Sequence, residues 1–302
     1  MKFFALNGLL ISNLTKIDSM TPEYEYYGTY DEDAAKGEID LNGQIRDWLL
    51  TTELMFDFIA KEKPEILDVL LRAVESRYEN ELERTSFILS DVGFDMIATD
   101  QTLLGPYPHI KDLGLRIVLK YIPLRDGYVL SEEKESVRWI DYCRAKYTLL
   151  YHQITSLVEV LGREDGIDVF KEFVEFWGEV LSKKPKGTHT IGQVRENRVN
   201  AWKQGNAMEF GVLDVNDATF LAKFDRCVSH ESMKHVDDQE LAYYAVCYPG
   251  ERLLEYTHEN ISMRRTQTLF TADFCDELRW DRHIHDEPEQ PSLELSRKIV
   301  RK

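Results

Sequence analysis

The chain has 302 residues, 43% of them apolar and 30% charged, with a formal net charge of −17. That length holds one large domain or two modest ones with a true apolar core, and the mixture excludes a disordered or collagen-like chain. Acidic residues are spread along the whole sequence, and the basic pairs Arg297-Lys298 and Arg301-Lys302 are too short to neutralise a nucleic-acid backbone, so no nucleic-acid partner is expected. No stretch reaches the roughly 18 uninterrupted apolar residues of a membrane span. The four cysteines, Cys143, Cys227, Cys247 and Cys275, lack CxxC spacing and the density of a secreted disulfide scaffold, so reduced thiols and a cytoplasmic location are expected.

The opening MKFFALNGLLISNL resembles a signal peptide superficially, but Asn7 and Asn13 interrupt its apolar run and no small-residue cleavage site follows, so it reads as a strand. Asp18 to Gly37 reads as loop. Apolar residues at three- and four-residue spacing predict helices over Asn42–Lys61 and Glu65–Glu83, while Pro106, Pro108, Gly114 and Pro123 mark Gly105 to Gly127 as a connection. The helical pattern returns from Ser131 to Leu161, where Gly162 supplies a stop, and continues over Gly166–Leu181 and Arg195–Gln204.

The character then changes. Met208–Val215 and Thr219–Val228 alternate like the arms of a hairpin turning at Asn216-Asp217-Ala218. Asp237-Asp238 then caps a helix running to Val246. Ile261–Phe270 and Phe274–Asp281 read as a last strand pair around Thr271-Ala272-Asp273. On the final strand Cys275, Glu277, Arg279 and Asp281 share one face and Phe274, Asp276, Leu278 and Trp280 the other. A bare carboxylate among Phe, Leu and Trp costs several kcal/mol unless paired, so Asp276 needs a partner, for which Arg264 or Arg265 is the expectation. The pattern implies an α+β fold: an antiparallel sheet covered by helices, behind a largely helical N-terminal part. Residues 1–130 form that N-terminal region, 131–286 the α+β domain, and 287–302 a loosely held tail rich in proline and charge.

Three cysteines on elements that must pack together, Cys227, Cys247 and Cys275, form the candidate catalytic cluster, with Asp276, His230 or His258 to shuttle protons. Buried free cysteines are also ordinary core residues. Arg264 and Arg265 are consecutive on a strand, so one of them can face a given pocket, where its guanidinium suits a substrate carboxylate and Thr266 adds a donor; His258 and Asn260 complete the candidate binding set. His283 and His285 beside Asp286 and Glu287, or Cys227, Cys275 and His230 together, are weaker metal readings. No Gly-rich phosphate loop, Gly-x-Ser-x-Gly elbow or HExxH motif occurs, and neither a cofactor nor a resident metal is expected.

Arg226-Cys227, the helix ending at Cys247, Arg264 to Leu269 (RRTQTL), Asp273-Phe274-Cys275-Asp276 and Leu161 to Glu164 (LGRE) together resemble the L-2-amino-thiazoline-4-carboxylic acid hydrolase-like family over roughly residues 140–285. The resemblance implies a small-molecule hydrolase that opens a cyclic, amidine-like thiazoline ring with water. It also implies a fold similar to vinyl-reductase-type sensor domains, which bind small ligands without necessarily converting them. Two departures stand out: Gly250 occupies the place of an acid three residues after the family's cysteine, and Ala272 replaces a turn glycine. The sequence therefore predicts a hydrolase cleaving a C–N or C–S bond of a small amino-acid-derived compound, with Cys247 or Cys275 as nucleophile. A biosynthetic cyclase or lyase and a non-catalytic sensor are the alternatives, and a homodimer is compatible with all three.

Overall fold

The computed structural model describes residues 23–83, 102–122 and 134–301. The expected strand at the N-terminus lies outside the described residues.

Five strands form one antiparallel sheet in the order β1 (Glu25–Tyr27), β4 (Met208–Asn216), β5 (Thr219–Cys227), β7 (Cys275–Asp281), β6 (Ile261–Arg264). A small second ribbon pairs β2 (Ala35–Ile39) with β3 (Glu135–Arg138). Both β1 and most of β2 arise from a segment that reads as loop, because its glycines and acids mask two short runs whose partners lie far along the chain, in β4 and β3. Period-two alternation sorts the sheet as anticipated. On one face Phe210, Phe220, Ala222, Phe224, Met263 and Cys275 pack under helix α6 (Ile191–Lys203), which a Thr190–Gln193 capping box starts. On the opposite face Leu213, Leu221, Leu278 and Trp280 are covered by Leu295 and Ile299 of the C-terminal segment. That segment, expected to be loosely held, folds as a short helix, Leu293–Lys298, and packs so closely that a Cβ on Gly211 would stand 2.2 Å from Ile299 Cγ2.

The helical layer contains α1 (Leu41–Glu62), α2 (Leu67–Glu83), α3 (Pro108–Tyr121), α4 (Trp139–Leu161) and α5 (Arg163–Ser182). Helix α3 occupies the stretch expected to be a connection. Its Pro108 stands in the first turn, where a missing N–H costs nothing, and its Gly114 meets Leu49 Cδ2 at 3.0 Å from a built Cβ, so both apparent breakers serve the helix. Gly162, at φ +87°, turns the chain between α4 and α5. Buried residues of α1 to α5 join those of α7 (Val228–Met233) and α8 (Gln239–Val246) in a single core, so helices on both sides of residue 131 share their apolar interior. The short helices α9 (Tyr248–Arg252) and α10 (Leu254–Thr257) then lead back to β6. No helix among the described residues is long and apolar enough to cross a membrane.

Candidate functional site

The C-terminal end of β5, the N-terminal end of β7 and the chain leaving β6 meet at one end of the sheet, where antiparallel register sets Phe224 beside Cys275. Strand β6 stops at Arg264, earlier than the alternation predicts, and Arg265–Phe274 is a loop that turns on Thr268, whose carbonyl accepts the N–H groups of Thr271 and Ala272 at 2.9 and 2.8 Å. Asp276 holds this loop in place. Its carboxylate accepts the backbone N–H of Thr266 at 2.8 Å and of Gln267 at 2.9 Å, the Thr266 hydroxyl, and Gln290 Nε2 at 3.1 Å. Neither arginine pairs with it, contrary to expectation: the loop backbone and the C-terminal segment supply the donors that a buried carboxylate requires.

The two arginines point apart, as consecutive residues should. Arg264 turns to the C-terminal segment, where it bonds Glu287 at 2.7 Å and the Pro288 carbonyl at 2.6 Å. Arg265 turns inward. It donates to Glu277 Oε2 at 2.5 Å and to the Cys247 carbonyl at 3.3 Å, and lies 3.6 Å from Glu251 Oε2, while its Nε has no partner. Arg279 Nε donates to the other Glu277 oxygen at 2.6 Å, leaving the buried Arg279 Nη1 unpaired, and Arg198 of α6 adds a third guanidinium charge nearby. Burial alone would push the Glu277 carboxyl up, but Arg279 and Arg265 outweigh it and hold it at about 2. Glu251 goes the other way: burial raises its carboxyl, and the charge of Glu277 outlasts part of the help from Arg265.

All four cysteines are free. Arg265 acts electrostatically on Cys227, Cys247 and Cys275 alike, so the sheet end gathers the three expected thiols around one guanidinium. Burial nevertheless dominates, pushing Cys247 up to about 12 and Cys275 well above its ordinary range. Cys227, the N-cap of α7, is raised less: the N–H groups of Ser229 and His230 and the Ser229 hydroxyl favour its thiolate. Tyr147 of α4 reaches the same place, with its hydroxyl 3.4 Å from Ser229 Oγ, and burial together with Cys143 disfavours loss of its proton. Tyr147, Cys227, Cys247 and Arg265 are each half-buried.

The other candidates fall elsewhere. Asp276 and Thr266 are engaged with each other on the far face of β7 from Cys275, and Arg264 is bound to the C-terminal segment. The His230 ring packs edge-on against Phe270 at 4.9 Å, with Nδ1 3.8 Å from Glu231, so its backbone rather than its imidazole serves Cys227. His258 bonds Thr257 at 3.1 Å and stands by His189, Arg198 and Arg279. Asn260 bridges the His189 carbonyl and Asp281 at 2.8 and 2.7 Å. Asp281 is six residues along an extended strand from Cys275, about 20 Å away. Among the described residues no three His, Cys, Asp or Glu side chains are placed to hold a metal ion, so neither the Cys227/Cys275/His230 set nor His283 with His285 forms such a centre.

Glu251 and Tyr147 were not among the sequence candidates. The only sequence signal for Glu251 is its position immediately after Gly250, where an acid was missed; the short helix starting at Tyr248 swings the next residue toward Arg265.

One end of an antiparallel sheet thus brings thiols, a guanidinium and carboxyls together beneath a helical layer. In agreement, residues 144–278 match the family described as L-2-amino-thiazoline-4-carboxylic acid hydrolase, the family that the motifs resemble. The matched stretch carries Tyr147, all three clustered cysteines, Glu251, Arg265 and Glu277. No curated protein and no solved structure matches the chain.

Proposed function

We propose that the protein is a hydrolase that opens a C–S or C–N bond in a small, carboxylate-bearing, amino-acid-derived compound with an amidine-like carbon. The observation that carries this reading is Arg265: a half-buried guanidinium with an unfilled Nε, set beside the Cys247 carbonyl and between two carboxyls whose proton affinities are shifted in opposite directions. Arg265, with the unpaired Nη1 of Arg279 behind it, receives the substrate carboxylate through charge-assisted hydrogen bonds. Cys227 is the nucleophile, because its sulfur alone has backbone N–H donors directed at it.

In the first half-reaction Cys227 Sγ adds to the amidine carbon and its proton passes to the substrate nitrogen. The ring bond to the leaving sulfur or nitrogen then breaks as Glu251, in its protonated form, protonates that atom. In the second, water adds to the same carbon and returns a proton to Glu251. The enzyme's C–S bond breaks as the new hydroxyl becomes the carbonyl, and its proton passes to Sγ, while nitrogen keeps the proton it took from the thiol. A carboxyl whose proton affinity is raised by burial is suited to the first role and, once ionised, to the second.

Incubation with L-2-amino-thiazoline-4-carboxylic acid in ¹⁸O-labelled water tests this. The expected result is an ¹⁸O-containing ring-opened product, lost in Cys227→Ala with folding retained by circular dichroism; full activity in Cys227→Ala, Cys247→Ala and Cys275→Ala alike refutes the cysteine mechanism. The neutral state of the thiols at rest favours a second reading, a ligand-binding sensor on the same scaffold. Saturable binding of the same compound with no product identifies it.

A further inference from the structure

A second pocket lies in the helical layer. It measures about 170 Å³ and is walled by Trp48 of α1, Tyr142, Leu149 and Leu150 of α4, and Trp177 of α5, with the amine of Lys146 among them. The walls are fixed by their own contacts. The Trp48 and Tyr142 rings meet edge to face at 5.0 Å, and the Tyr142 hydroxyl donates to Gln44.

Lys146 is set unusually for a lysine in so acidic a protein. Its ammonium lies 5.1 Å from the Tyr147 ring and has no carboxylate within ion-pair distance among the described residues. A second amine, Lys36, stands over the Trp139 and Tyr142 rings at 4.0 and 4.4 Å, close enough to disfavour charge on Lys146. Burial is the larger influence and acts in the same direction; the thiol of Cys143 and the carboxylate of Asp47 oppose both. A buried amine beside another cation gives up its proton more readily than an exposed lysine, and the freed lone pair is what attacks a carbonyl carbon. Asp47 is the one carboxylate in the pocket lining, and it lies on the solvent-exposed side.

We propose that the Trp48–Tyr142–Trp177 pocket is a covalent binding site for a small apolar aldehyde, which Lys146 captures as an imine. The Lys146 Nζ lone pair forms the C–N bond while the carbonyl π pair moves to oxygen and takes up a proton, giving a carbinolamine. Asp47 carries the proton from nitrogen to the hydroxyl, the C–O bond breaks, and one water leaves for each imine formed. No electrons are exchanged. The aromatic walls select an apolar electrophile of a few to about ten heavy atoms, and the carboxylate at the mouth disfavours anionic ones. This site is independent of the Arg265 cluster and of the activity proposed for it.

The test uses the intact protein at neutral pH with benzaldehyde as probe and sodium cyanoborohydride to reduce any imine, followed by peptide mass spectrometry. Lys146 should carry the benzyl group several-fold faster than the exposed lysines Lys61 and Lys171, both of which are ion-paired. Lys146→Gln should lose that label while the labelling of the other lysines is unchanged. Because the ranking is read in the unmodified sequence, a variant that fails to fold leaves the test intact. Labelling of Lys146 at or below the rate of Lys61 and Lys171 overturns the proposal.

Discussion

Replacing Glu277 by Gln removes one charge and no volume, and two opposed effects follow from the geometry. The carboxylate is buried and accepts from Arg265 at 2.5 Å and Arg279 at 2.6 Å, so its loss leaves two interior guanidinium groups with no ionised partner between them. Breaking a buried pair in this way costs about 3–5 kcal/mol. The acid titration gives a second scale: a carboxyl at about 2 in the fold against 4.5 when free corresponds to roughly 3 kcal/mol of linked stability. Since the folded value is the lower one, that stability is fully present above pH 4.5 and is lost as the pH falls toward 2. Guanidinium-chloride unfolding of the wild type and Glu277→Gln at neutral pH should therefore show a clear drop in midpoint at constant slope, and the gap should close on acidification. At the same time, Glu277 is one of the charges that keep Cys247 and Cys275 protonated, so the less stable variant should react faster with iodoacetamide under native conditions. An unchanged midpoint, or slower alkylation of both cysteines, would refute the charge assignment.

Other consequences are simpler to read. With Cys247 at about 12 against 9.0 for a free thiol, thiolate is roughly a thousandfold scarcer near pH 8, so its alkylation in the wild type should lag far behind that of free cysteine and approach it only in denaturant. Comparable native and denatured rates would contradict the burial. Removal of residues 291–302 uncovers Leu213, Leu221, Leu278 and Trp280 and deletes the fully buried Leu295 and Ile299, so it should cost roughly 3–6 kcal/mol from those two side chains alone and increase dye binding to exposed apolar surface. A truncated chain with the parental midpoint would show that the segment covers nothing.

The site was partly legible in the sequence for physical reasons that can be named. A strand admits no freedom in which side its residues face, so the division of Cys275, Glu277 and Arg279 from Asp276, Leu278 and Trp280 followed from alternation alone. The opposite directions of Arg264 and Arg265 followed in the same way. What alternation does not contain is the far end of each interaction. Asp276 found its donors in the backbone of a loop and in Gln290, neither of which has a periodic signature. Glu251 became part of the site through a single turn of helix, too short to carry a pattern of its own. Helix α3 was hidden because proline and glycine ordinarily punctuate, whereas Pro108 here begins a helix and Gly114 makes room for Leu49. The C-terminal segment reads as polar because only Leu295 and Ile299 do the covering, and two apolar residues among charges give little sign of it.

The account rests on Arg265 as the carboxylate anchor, and Arg265→Lys examines that directly. Lysine keeps the positive charge beside Glu277 but lacks the planar fork, so the fold should survive while the geometry of recognition does not. In isothermal titration with L-2-amino-thiazoline-4-carboxylic acid, loss of a charge-assisted hydrogen bond worth about 1.5–3 kcal/mol predicts binding weaker by roughly ten- to a hundredfold than in the wild type. Equal affinity in the two proteins would place the carboxylate elsewhere and contradict the proposed site.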